Sequence, residues 1–258
     1  GHDPHRAHVV RHREGHARQR QALPLLTGAA GAGVTVPLVA RIAEDLLLLL
    51  LDNASAQPGL QRAKVKRLLA AAVLLDLAYE CRVRPAVAQE PVPPGRLVAL
   101  AGPVPLDPVV RPALALLQQG PITPAAAIGS LSKHTEDVVL DQLLRTGQLH
   151  QRELRTGRIR RRREYAWPIN NRARADRVRA DLMAALFDQH HPGPSTASVI
   201  SLLSAVDGLG ALLSLNERGW QWVHDRASEI ASGTWVDDAK LAEVNLAVTT
   251  AAVRAALG

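Results

Sequence analysis

Between Leu68 and Tyr79 the only charged residue is Asp76, and directly before this run stand Arg62, Lys64, Lys66 and Arg67. A stretch of that length without polar alternation does not suit a half-buried strand, and it predicts a helix over residues 61–80. Its first turns must meet solvent while the remainder lies at the centre of the fold. The chain has only seven aromatic residues among 258, and Ala, Leu, Val and Arg dominate it. Helices draw on those residues, whereas sheets draw on aromatic and β-branched ones, so the fold class is mainly α. A hydrophobic content of 47% supplies a packed core.

The other elements follow from periodicity and punctuation. Ile42, Leu46, Leu47, Leu49, Leu50 and Leu51 make a short helix that is apolar nearly all round, ended by Asp52 and Asn53. Ten residues cannot cross a bilayer, so it belongs to the core. Residues 85–112 are proline-rich, with 96–100 as the best strand. Three helices are expected at 109–118, 123–131 and 135–146, the last closed by Gly147. A β-hairpin follows, with arms 148–154 and 159–167 and a turn at 155–158. Helices over 170–189, 196–215, 219–232 and 237–257 complete the chain. His190 and His191 fall in a breaker loop and read as exposed, not as ligands.

Residues 1–36 are expected to form a disordered Arg/His-rich and Gly-rich extension, and 37–258 a single helical domain. His2, His5, His8, His12 and His16 have no apolar face beside them, which favours a tail over a metal site. Residues 22–40 lack charge, but Pro24, Gly28, Gly31, Gly33 and Pro37 interrupt them, so a linker is preferred to a membrane span or a signal. Cys81 is the single cysteine, without a disulfide or metal partner of its own kind, which fits a reducing, cytoplasmic setting.

Charge is unevenly placed. Residues 150–164 hold seven arginines against Glu153 and Glu164, and the first twenty residues hold five against Asp3 and Glu14, out of a formal net charge of +7. The rest is almost neutral, so an anionic partner would meet these two segments. In the second hairpin arm Arg160 and Arg162 alternate with Arg161 and Arg163, which leaves neither face burial-competent and predicts a projecting basic hairpin. Nucleophile, zinc, dinucleotide and phosphate-loop patterns are absent, and Gly28 to Gly33 lacks a following Lys-Ser/Thr, so a binding protein without cofactor is expected, not an enzyme. Carboxylate neighbours such as Glu44-Asp45 and Asp237-Asp238 sit at helix starts, where the dipole explains them.

Two anions compete for the arginines. The order of three helices and a basic hairpin resembles a winged helix-turn-helix gripping DNA, yet the recognition helix would carry Glu136, Asp137 and Asp141. The other partner is a membrane surface with anionic lipid. A protein-only adaptor is the third reading.

Four segments appear in sequence: residues 42–52 (IAEDLLLLLLD), 74–83 (LLDLAYECRV), 142–149 (QLLRTGQL) and 167–171 (WPINN). Together they resemble successive landmarks of the Golgi phosphoprotein 3 family, which has bacterial and especially actinobacterial members. The resemblance implies a helical peripheral membrane protein at the inner, cytoplasmic membrane face. It also implies recognition of phosphatidylinositol 4-phosphate in a basic pocket, and a projecting hairpin, here Arg158, Arg160, Arg161, Arg162 and Arg163, that supports homo-oligomers. In eukaryotic members the protein adapts glycosyltransferases to a vesicle coat. Of the four pocket positions implied, only Lys133 keeps its basic character; Gln61 stands for a Trp, Ala70 for an Arg, and Glu136 for a second basic residue. Arg62, Lys64, Lys66 and Arg67 are the substitute headgroup ligands expected.

Overall fold

The central helix is present, and its burial has the predicted polarity. A computed structural model describes residues 41–154 and 164–258; all of its elements belong to one compact unit, Leu38–Gly258. Helix α1 is Ile42–Leu51 and α2 is Arg62–Tyr79. Every side chain of α2 from Leu68 to Ala78 is buried, Asp76 included, while Arg62 and Arg67 are exposed. Helix α1 is buried on all sides except at Asp45, which accounts for its lack of a polar face.

After α2 a short antiparallel pair forms between β1, Val83–Pro85, and β2, Leu97–Ala99, in the register Val83↔Ala99. The proline-rich stretch thus carries one strand where the sequence predicts it, and a partner strand ahead of it. Helices α3, Arg111–Leu117, α4, Pro124–Leu131, and α5, Thr135–Arg145, follow at the expected places. Thr123 caps α4 by accepting from the Ala126 amide. Strands β3, Arg152–Leu154, and β4, Glu164–Ala166, pair antiparallel with Leu154 opposite Glu164. The expected turn at 155–158 and the arginines at 158 and 160–163 lie outside the described residues, as do the expected extension and linker up to residue 40.

The last third is helical: α6, Arg172–Phe187, α7, Pro194–Ala205, α8, Glu217–Ala231, and α9, Leu241–Leu257. Two expected boundaries are corrected. The predicted helix 196–215 stops at Ala205, because Asp207 takes a φ of 53° and the Gly208 amide turns back to the Leu203 carbonyl at 2.7 Å; a short 3-10 turn, Leu209–Ala211, continues the chain. The predicted helix 237–257 begins only at Leu241, because Asp237 accepts the Ala239 amide in a local turn.

Helix α2 packs against α1, α4, α5, α7 and α9, and α1 against α2, α5, α6 and α7. Burial of each large aliphatic side chain in this core contributes roughly 1.5–3 kcal/mol before the entropy of ordering is counted. Polar contacts fix the register. Asn245 on α9 donates to the carbonyls of Ala78 at 2.6 Å and Val83 at 2.8 Å, locking α9 to the end of α2. Glu44 and Asp45, which the sequence reading assigns to the helix dipole alone, are both held by Arg174 of α6, at 2.5 and 2.7 Å. Asp52 takes Arg172 at 2.5 Å and Arg179 at 2.8 Å. Three arginines of α6 are therefore fastened to α1 and the residue that ends it.

Candidate functional site

The hairpin base is built onto the loop between α1 and α2. Trp167 donates its amide to the Ala56 carbonyl at 2.8 Å, and the Gln57 side chain donates to the Tyr165 carbonyl at 3.2 Å. Leu149 and Ile169 bridge below the strands, and His150 donates its amide to the Pro168 carbonyl. The two ends of the arginine-rich segment are thereby anchored side by side.

Between this base, the α1–α2 loop, the start of α2 and the start of α5 lies a cleft of about 550 Å³. Gln57, Pro58 and Leu60 form one wall, Arg62 stands at the first position of α2, Glu136, Asp137 and Leu140 come from α5, and Gln151, Glu164, Tyr165 and Trp167 come from the hairpin. The Tyr165 and Trp167 rings lie 6.1 Å apart. Among the described residues Glu136, Asp137 and Glu164 bring carboxylates to the cleft and Arg62 a guanidinium. Glu136 is only 8% exposed, and its Oε2 lies 3.5 Å from Arg62 Nε without accepting a hydrogen bond. At Oε2 the Arg62 guanidinium is the nearby compensating charge.

Three of the four basic residues of α2 make contacts in different places. Arg62 turns to Glu136 in the cleft. Lys64 donates to the Val206 carbonyl at 2.9 Å and Arg67 to the Ala256 carbonyl at 2.8 Å. Those carbonyls stand at the C-terminal ends of α7 and α9, the negative ends of two helix dipoles. Lys66 shares the side of Arg62, four residues along, and is half-buried. Lys133 is exposed just ahead of α5, three residues before Glu136, so Arg62 and Lys133 both border the first turn of α5. Gln61 is exposed at the start of α2, whereas Ala70 is fully buried in the core. Sequence reasoning missed Tyr165, Trp167 and Gln57 as cleft walls; Trp167 had a signal, as a tryptophan in an otherwise nearly aromatic-free chain.

His190 and His191 are exposed, and His191 Nε2 lies 2.9 Å from the Trp235 carbonyl. Among the described residues no group of His, Cys, Asp or Glu is arranged to hold a metal ion, and no helix is long and apolar enough to cross a membrane.

A family model described as Golgi phosphoprotein 3 (GPP34) matches residues 42–247. The match runs from the first residue of α1 into the second turn of α9 and includes every wall of the cleft. No curated protein matches the chain.

Proposed function

We propose, from the premise that the chain belongs to the Golgi phosphoprotein 3 family, that it is a non-enzymatic protein that attaches peripherally to a membrane surface bearing anionic phospholipid. The observation that carries this reading is the concentration of seven arginines in residues 150–164, whose flanking strands are fixed beside the cleft that Arg62 lines. Each Lys or Arg near the headgroups contributes about 1 kcal/mol, so such a segment outweighs the acidic residues around it. Phosphatidylinositol 4-phosphate is the headgroup that family membership suggests. The hairpin is also where copies of the chain would associate, and the inner, cytoplasmic face of a membrane is where the attachment would occur.

The reading differs from the family expectation in one respect. With Glu136 in the cleft and Ala70 in the core, the headgroup pocket is weak in this chain, and the arginine segment bears more of the attachment.

Flotation of the full chain with phosphatidylcholine vesicles, alone and with phosphatidylserine or phosphatidylinositol 4-phosphate, tests it. Binding that requires the anionic lipid is the expected result. Changing Arg160, Arg161, Arg162 and Arg163 together to Ala should abolish most of it while the melting temperature stays nearly constant. Binding to duplex DNA with a steep salt dependence, and no flotation, would overturn the membrane reading.

A further inference from the structure

Helices α3, α4 and α5 enclose, against α2, a cavity of about 230 Å³ whose walls all lie among the described residues. Its inner end is Val73 of the central helix, with Ala113, Leu131 and Thr135 around it, all of them buried. Thr135 is the only polar side chain among the buried walls, and its hydroxyl already donates to the Leu131 carbonyl at 2.8 Å. The depth of the cavity therefore presents carbon. At the mouth the character changes. Ser130 and His134 are exposed there, and neither the hydroxyl nor the imidazole has a hydrogen-bond partner among the described residues.

A protein interior holds few voids larger than a water molecule, and atoms that line one lose their packing partners. Water does not remedy this one, because an ordered water needs two or more polar partners and the buried side chains here offer none that is unpaired. An apolar cavity of about 150 Å³ is enough to admit benzene. This one is larger and opens at one end. Apolar depth with hydrogen-bonding groups only at the rim is the complement of an aliphatic chain that ends in a polar head. The site is separate from the hairpin cleft: His134, Thr135 and Val138 face the cavity, whereas Glu136, Asp137 and Leu140, on the other side of α5, line the cleft.

We propose that this cavity binds one medium-length aliphatic chain, its tail against Val73 and its polar head hydrogen-bonded by Ser130 and His134 at the mouth. The site goes beyond the peripheral-attachment reading and does not depend on it. Sodium hexanoate, heptanoate and octanoate are titrated into the full chain carrying isotope-labelled Val and Leu methyls, with octanoyl lysophosphatidylcholine in parallel. Saturable methyl shifts at Val73 and Leu131 are expected, with affinity rising roughly fourfold for each added methylene. Ala113→Leu sends its extra carbons into the void and should abolish the shifts, with its thermal melt unchanged or raised. Val138→Phe, which narrows the mouth, should block entry as well and serves if Ala113→Leu fails to fold. His134→Ala should cost octanoate about fivefold in affinity. Binding of the acids alone supports the site and identifies a free carboxylate ligand; binding of the lysophospholipid as well supports it and identifies the acyl chain of a lipid. Absence of shifts at Val73 with every probe overturns the proposal in the unaltered chain, as do shifts that persist in a folded Ala113→Leu or Val138→Phe variant. Shifts without dependence on chain length mark adventitious contact and overturn it too. Unchanged octanoate affinity in His134→Ala overturns the placement of the head.

Discussion

The Asp76 carboxylate and the Ile42 amide lie 2.7 Å apart although 34 residues separate them, and the second carboxylate oxygen takes the Ala43 amide at 3.2 Å. Helix α1 begins after Arg41, whose side chain caps nothing. Its first amides, buried in the core, find their acceptor on α2 instead. The lone charge in the apolar run of α2 is therefore the cap of another helix.

Asp76→Ala should cost about 3 kcal/mol in urea unfolding, because it leaves two buried amides unpaired at roughly 1–3 kcal/mol each. Asp76→Asn keeps one acceptor and should cost clearly less. Equal losses in the two variants would mean that packing, not capping, gives Asp76 its weight.

The two core-side aspartates should respond to pH with opposite signs. Burial pushes the Asp76 carboxyl well above the ordinary 3.8, and the amides of Ile42 and Ala43 only partly counter it. In the unfolded chain it ionises near 3.8, so stability relative to Asp76→Asn is fullest below that value and declines as pH rises toward the folded pKa. Burial also raises the Asp52 carboxyl, but hydrogen bonds from Arg179 and Arg172 outweigh it, and the net shift is downward. Stability relative to Asp52→Asn is present above 3.8 and lost as pH falls through the lowered pKa. Denaturant midpoints across a pH series check both slopes, and slopes of the same sign would contradict the assignment.

Arg174→Ala should destabilise by about 3 kcal/mol, since it strands Glu44, which is 1% exposed, next to Asp45. Burial already raises the Asp45 carboxyl, with Arg174 as its main counterweight. The same variant should therefore lose part of its deficit in acid, where Asp45 is protonated. Arg174→Lys should recover only part of the loss, because an ammonium cannot fork between two carboxylates. Thermal melts at neutral and acidic pH separate these outcomes.

What could be read from the sequence was local. The apolar run of α2, the all-apolar α1 and the amphipathic α5 announce themselves by period, and Gly147 marks a helix end by its own conformational freedom. The partners of charges were not legible. Nothing near Glu44 or Asp52 in sequence points to Arg174 or Arg179, more than a hundred residues away, and dipole reasoning offered a sufficient local account of Glu44. The Asp207-Gly208 break within the predicted helix 196–215 was legible in principle, but the apolar content on both sides hid it. For the site, residue type suggested a single basic cluster from 62 to 67. The helical period divides it, sending Arg62 to the cleft and Lys64 and Arg67 to the ends of α7 and α9.

The division makes Glu136 the residue on which the character of the cleft turns. Its carboxylate is buried, receives no hydrogen bond at Oε2 and neutralises Arg62 across 3.5 Å. Glu136→Gln removes that charge and frees Arg62; Glu136→Lys changes the cleft by two units and restores a basic residue at a position that the family resemblance marks as basic. At about 1 kcal/mol per charge near an anionic surface, affinity for phosphatidylserine vesicles should rise roughly fivefold in the first variant and roughly thirtyfold in the second. If the cleft is a headgroup site, Glu136→Lys should in addition favour phosphatidylinositol 4-phosphate over phosphatidylserine at equal surface charge. If it is only part of a charged surface, the two lipids at matched charge should gain alike. Unchanged affinity in both variants, in a chain whose hairpin arginines still control flotation, would remove the cleft from the membrane-facing surface and leave attachment to the hairpin. Circular dichroism of each variant guards the comparison, because Glu136→Lys sets a second cation against Arg62 and only a folded chain reports on the cleft.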